Sequence, residues 1–218
     1  MGVRTRIAAG VLASSLALGG GAVAAQESTP AGTPAIGEPL TLDLTTANGD
    51  VIGSATIVAS PNGVTITLQS TSEGSGSGLE PGPHGVHIHE TGNCDPSGDT
   101  PFGSAGEHFN PTGASHGALE DTDSHAGDLG NLEVDGAGTF GLDVTTDKVS
   151  LEPGAENSLA DEDGSAILIH AGEDDLQTDP SGESGDPVAC GVIFAEAGSD
   201  ATPAADGSDA TPEATPTS

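Results

Sequence analysis

Tryptophan and tyrosine are absent from this chain of 218 residues, and only four phenylalanines are present. Val, Ile and Leu must therefore fill any interior, and a covalent staple or bound metals would help to hold such a core. Cations are almost as scarce, with 3 Lys and Arg against 34 Asp and Glu, a formal net charge of −31. Arg4 and Arg6 lie at the extreme N-terminus, so Lys148 is the only other Lys or Arg. That balance excludes nucleic acid and anionic membrane surfaces as partners, because both require a basic patch. Long apolar runs are missing beyond the N-terminus. There, Arg4 and Arg6 precede an uncharged stretch from Ile7 to about Ala25, which ends in the small residues Ala22, Val23, Ala24 and Ala25. This is the pattern of a secretory signal over 1–25, with cleavage expected just before Ala25 or Gln26 and no membrane span left afterwards. The chain is thus expected to be secreted, periplasmic or held at the cell surface. Cysteine is also sparse. Cys94 and Cys190 form an even pair in an exported chain, which suggests one disulfide. Closing so long a loop is worth about 4 kcal/mol on chain-entropy grounds.

Residues 26–37 are rich in Pro, Thr, Gly and Ala and read as a flexible linker. Residues 197–218 are similar and repeat Gly-Ser-Asp-Ala-Thr-Pro from Gly198 and again from Gly207. Neither segment has the apolar content to order itself, so 197–218 is expected to be a disordered tail. Between them, 38–196 makes one domain. It reads as short strands parted by turns: Leu40–Thr46, Val51–Ser60, Val64–Ser70, Val86–Glu90, Asn131–Val134, Thr139–Thr146, Ala166–His170 and Val188–Glu196. Asp135-Gly136-Ala137-Gly138 is a hairpin turn, and no amphipathic helix is evident. The expected fold is all-β, an eight-stranded antiparallel sandwich or barrel. Its long loops, 91–130 and 171–187, are of a length that usually carries function.

The histidines carry the chemistry. All seven lie between positions 84 and 170. His87 and His89 are two apart on a strand, so both imidazoles point to one face and make half of a metal site. His170 ends another apolar strand and can join them. His108, His116, His125 and Asp128 sit in the long loop at spacings that allow convergence. Imidazole suits copper and zinc, and a His3Asp set suits tetrahedral zinc.

Several long motifs resemble those of the copper–zinc superoxide dismutases of the bacterial secreted or periplasmic type. Gly82-Pro-His-Gly-Val-His-Ile-His-Glu90 is similar to the family's copper-binding strand, and Gly103-Ser-Ala-Gly-Glu-His-Phe-Asn-Pro111 to the start of its zinc loop. Ser115-His116-Gly117 and His125-Ala-Gly-Asp-Leu-Gly-Asn131 resemble the rest of that loop. Ile167-Leu-Ile-His170, with Asp174 beyond it, and Ala189-Cys190-Gly191 resemble the last copper-ligand strand and the disulfide-bearing strand. The resemblance implies a Greek-key barrel with copper and zinc as cofactors and superoxide as substrate. It implies copper ligation by His87, His89, His108 and His170, and zinc ligation by His108, His116, His125 and Asp128, with His108 shared. It further implies that Asp174 links a copper ligand to a zinc ligand, that His84 supports the site from outside the ligand set, and that Cys94 pairs with Cys190.

One departure matters. The family carries an Arg two residues before the Ala of its Ala-Cys-Gly motif, beside copper, where it attracts the anionic substrate; here that position is Pro187. The loop 171–187 is acidic and holds no cation. Lost steering costs on the order of 10–1000-fold in on-rate. The expectation is a superoxide dismutase with weakened steering; the alternative is a non-enzymatic protein that kept the copper and zinc site.

Overall fold

The structure is a computed structural model in which residues 38–71 and 78–197 are described. The expected signal over 1–25, the linker over 26–37 and all but the first residue of the tail lie outside them.

The strands are β1 (Leu40–Thr46), β2 (Val51–Ser60), β3 (Gly63–Ser70), β4 (Gly82–His89), β5 (Asp128–Val134), β6 (Phe140–Thr146), β7 (Ser165–His170) and β8 (Pro187–Phe194). All pair antiparallel and close into a barrel in the order β1-β2-β3-β6-β5-β4-β7-β8. The only helix among the described residues is a single 3-10 turn, Gly103–Ala105. The eight strands fall where alternation and turn residues place them, with ends shifted by a few residues. β4 starts earlier than expected, at Gly82, and β5 at Asp128. Both extensions run through the histidine-bearing segments.

Period-two alternation decides which side chains fill the barrel. Ile57, Ile66, Leu68, Val86, Ile88, Ile167 and Ile169 are fully buried in one cluster. Burying each such side chain contributes roughly 1.5–3 kcal/mol. Three of the phenylalanines are buried, Phe109 and Phe140 in this cluster and Phe102 in a second. The second cluster, of Phe102, Ala105, Ala166, Leu168 and Cys190, lies on the other face of β7, with Cys94 packed against it. The disulfide joins Cys94 to Cys190, as the even cysteine count suggests.

In β4 and β7 the whole strand is buried on both faces near its C-terminal end. Val86 and Ile88 fill the barrel, so His87 and His89 must face outward. They are buried nonetheless, at 0% and 5% exposure, because the loops 91–127 and 171–186 lie over them. The barrel wall is thus the floor of the site and the loops are its roof.

Candidate metal centre

Two strands and two loops deliver the histidines. His87 stands opposite Leu168 and His89 opposite Ala166 across the β4–β7 ladder, and His170 ends β7. His108 arrives by a backbone route. Glu90 N donates to Glu107 O at 3.0 Å and Phe109 N to Ile88 O at 2.8 Å, so the loop runs beside β4 and His108 bridges His89. Gly127 completes the seam: Ile88 N donates to its carbonyl at 2.8 Å, and its own N–H donates to Phe109 O at 2.9 Å. A Cβ on Gly127 would overlap the Ile88 carbonyl, which explains glycine there.

His87, His89, His108 and His170 each offer a ring nitrogen, all within 4.8 Å of one another. The outer nitrogens are already engaged. His89 Nδ1–H donates to Gly106 O at 2.8 Å, His170 Nδ1–H to Gly185 O at 2.8 Å, and His87 Nε2–H to Asp174 Oδ2 at 2.8 Å. What remains is a set of inward nitrogens without donors to meet them. His87 Nδ1 and His108 Nε2 are buried with no hydrogen-bond partner, and His89 Nε2 and His170 Nε2 face each other at 3.4 Å. Orphaned buried nitrogens cost free energy unless something binds them.

The second grouping centres on Asp128. Its Oδ2 accepts backbone N–H groups from Gly117 at 3.0 Å and His125 at 3.1 Å. Its Oδ1 is left facing three imidazoles: Nδ1 of His108 at 2.9 Å, of His116 at 3.1 Å and of His125 at 3.3 Å. His116 Nε2–H donates to Asp174 Oδ1 at 2.8 Å. His116 thus sets one ring nitrogen against each of two carboxylates, and a metal ion held between its Nδ1 and Asp128 Oδ1 would be bound by both. Both donor sets fit a metal ion, and His108 belongs to each. On the Asp128 side, the four residues whose ligand atoms all lie within 4.8 Å are His87, His108, His116 and Asp128. His125 stands just beside them, its Nδ1 3.4 Å from that of His108.

Burial sets the protonation of the first cluster. Desolvation, then the neighbouring His108, holds His87 well below the usual histidine range. The same causes lower His89 to about 3, and burial lowers His170 to about 4. Burial pushes Asp128 upward, but the His108 hydrogen bond, His116 and the Gly117 N–H outweigh it, and the net shift is downward. The rings of His87, His89 and His170 are neutral and the Asp128 carboxylate ionised at neutral pH, the states that ligate metals.

Asp174 ties the groupings together, holding His87 and His116 at 2.8 Å each while Leu176 N donates to its Oδ1 at 2.7 Å. Gly182, at φ +64, is a glycine because a Cβ there would overlap Asp174 Oδ1. His84 is buried between the His170 carbonyl, 2.6 Å from its Nδ1, and the Glu80 carbonyl, 2.8 Å from its Nε2, and so steadies the end of β7. Residues that sequence reasoning missed also act here. The Asn131 side chain donates to Asp174 O at 2.9 Å and accepts from Asp174 N at 2.8 Å, and Asp179 Oδ1 accepts from His116 N at 2.5 Å. Asn131 ends the His125–Asn131 motif, but its bond to Asp174 is not legible there, and nothing local in the sequence marks Asp179. Asn131 lies 43 positions from Asp174, and Asp179 lies 63 from His116.

The profile of the family described as copper/zinc superoxide dismutase (SODC) matches residues 48–193. This chain belongs to the copper/zinc superoxide dismutase family. It is 41% identical over 152 residues to superoxide dismutase [Cu-Zn] 2 of Aquifex aeolicus (strain VF5), covering 69% of this chain and 84% of that one. It is 39% identical over 172 residues to superoxide dismutase [Cu-Zn] of Deinococcus radiodurans, covering 73% and 87%. Among solved structures it is similar to a SOD-like protein from Bacillus subtilis, with 37% identity, a TM-score of 0.60 and coverage of 70% and 97%. Membership brings copper and zinc as the cofactors, and the two histidine groupings can hold them.

Proposed function

We propose that this protein is a superoxide dismutase that captures its substrate with little electrostatic help. The observation that carries the proposal is the position of His108. Its Nδ1 faces Asp128 with His116 and His125, while its Nε2 is orphaned against His87, His89 and His170. One imidazole can thus serve both groupings. His87, His89, His108 and His170 would hold copper, and His108, His116, His125 and Asp128 would hold zinc.

Copper when bound supplies one-electron exchange with superoxide, giving oxygen from one molecule and peroxide from a second, whereas zinc is redox-silent. The chain's own residues supply geometry and protons. The carbonyls of Gly106 and Gly185 keep the protons of His89 and His170 on Nδ1, so that each Nε2 presents a lone pair. Asp174 fixes the rings of His87 and His116 together. His108 Nε2, buried and without another partner, is the atom that takes up and returns a proton during turnover.

The charge distribution supports slow capture. Pro187 is paired with His170 in the β7–β8 ladder, next to a register shift at Ile169/His170, which supports reading it as the family's Arg position. Lys148, the only Lys or Arg among the described residues, reaches Asp121 O and Ser124 Oγ on the outer loop instead. Glu173, Asp175, Glu183 and Asp186 line the loop around His170 with negative charge. The same charges favour the second reading, a copper and zinc protein without useful turnover. Metal analysis and a dismutation assay on protein produced with copper and zinc decide between them. Turnover well above that of the same amount of free copper is expected; activity no greater than free copper leaves only the binding protein.

The disulfide supports a site of action outside the cytoplasm, since such bonds persist in oxidising compartments. A fusion of residues 1–37 to a reporter enzyme active only after export tests this, and reporter activity is the expected result.

A further inference from the structure

The single described cation is spent on the loop that joins His116 to His125. We propose that Lys148 is a positioning residue for the zinc-side grouping, an inference that rests on the metal reading given above. Lys148 follows β6, where its backbone is fixed: its N–H donates to Thr146 Oγ1 at 3.1 Å, and its carbonyl accepts from Asn157 Nδ2 at 2.9 Å. From that base Nζ donates to Asp121 O and to Ser124 Oγ, both at 2.5 Å. Ser124 is 4% exposed, precedes His125, and passes its own hydroxyl proton to Ala118 O at 2.7 Å. It also pairs with Ser115, the residue before His116, in an isolated bridge. One ammonium group therefore closes the turn 118–124 at the point where His116 and His125 leave the backbone.

Charge explains why a cation is needed there. Glu120, Asp121 and Asp123 crowd that turn, and the Asp128 carboxylate lies just beyond. No Lys–carboxylate ion pair exists among the described residues, so Lys148 answers the group of charges as a whole while its hydrogen bonds go to a carbonyl and a hydroxyl. Without it the turn would repel itself open, and His116 and His125 would lose their fixed approach to Asp128. Partners that orient ligands in this way are typically worth about 10–100-fold in metal affinity.

The test compares the full chain with Lys148→Met, Lys148→Arg and Ser124→Ala. Zinc affinity is read by competition with a chromophoric chelator, and site geometry by the visible bands of Co2+ bound in place of zinc. Lys148→Met is expected to weaken zinc by about 10–100-fold and flatten the Co2+ bands. Copper affinity should stay unchanged, Lys148→Arg should recover most of the zinc binding, and Ser124→Ala should show a smaller loss. Unchanged zinc affinity in Lys148→Met overturns the inference. So does a loss of zinc and copper affinity in step with a lower melting temperature of the metal-free protein, since that is general destabilisation. If Lys148→Met fails to fold, Ser124→Ala decides, and zinc affinity equal to that of the parent overturns the inference. A parent chain that binds zinc poorly would instead sink the metal reading itself.

Discussion

Replacing Pro187 with Arg puts a cation on β8 at the residue paired with His170. The pairing lies beside a register shift at Ile169/His170. For a guanidinium about 6 Å from an anion beside the His170 ring, Coulomb's law gives the gain. At 6 Å, opposite unit charges attract by about 0.7 kcal/mol in bulk water and about 2.8 kcal/mol at an effective dielectric of 20. These correspond to roughly 3-fold and 100-fold in capture rate. The assay is the second-order dismutation rate of copper- and zinc-loaded protein, followed by pulse radiolysis or stopped flow across ionic strength. The parent rate should be flat or rise with salt, because screening weakens the repulsion from Asp186 and its neighbours. The Pro187→Arg rate should be higher at low salt and fall as salt is added. A parent rate that drops steeply with salt refutes the reasoning, since it requires a steering cation elsewhere. An unchanged rate in Pro187→Arg refutes it too.

Three further outcomes are expected. Asn131→Ala removes both hydrogen bonds that hold the Asp174 backbone, so zinc affinity should fall by about 10–100-fold in chelator competition; a change below twofold would show that Leu176 N and the two histidines suffice to hold Asp174. Exchange of both Cys94 and Cys190 for Ser opens a loop with a sequence separation of 96 and should cost about 4 kcal/mol in denaturant unfolding on chain-entropy grounds. Acidification should destabilise the metal-free protein. His87, His89 and His170 bind protons in the unfolded chain near pH 6.5 but in the folded one only well below that, at about 3 for His89 and about 4 for His170. Stability is therefore complete above about pH 6.5 and lost as pH falls toward 4, by about 1.4 kcal/mol per pH unit for each histidine. Thermal melts between pH 7.5 and 5 check this, and a flat profile contradicts it.

Much of the molecule is local in origin. Alternating Leu40–Thr46, Val51–Ser60 and Gly63–Ser70 become strands because a period of two puts Leu44, Ile57 and Ile66 on one face. The same geometry sends His87 and His89 to one side of β4, so half of the first histidine grouping follows from two residues' spacing. The cysteine count alone suggests the disulfide. What lies beyond such local rules was settled by chain segments meeting across long separations. The loop beside β4 brings His108 to His89, Asp174 reaches back 58 positions to His116 and 87 to His87, and Asn131 clamps Asp174 across 43. Lys148 reads in the sequence as one leftover charge, and only folding sets its ammonium on Ser124. Side-chain direction is fixed by the backbone at each residue, whereas convergence is fixed by which loops the closed barrel allows to touch.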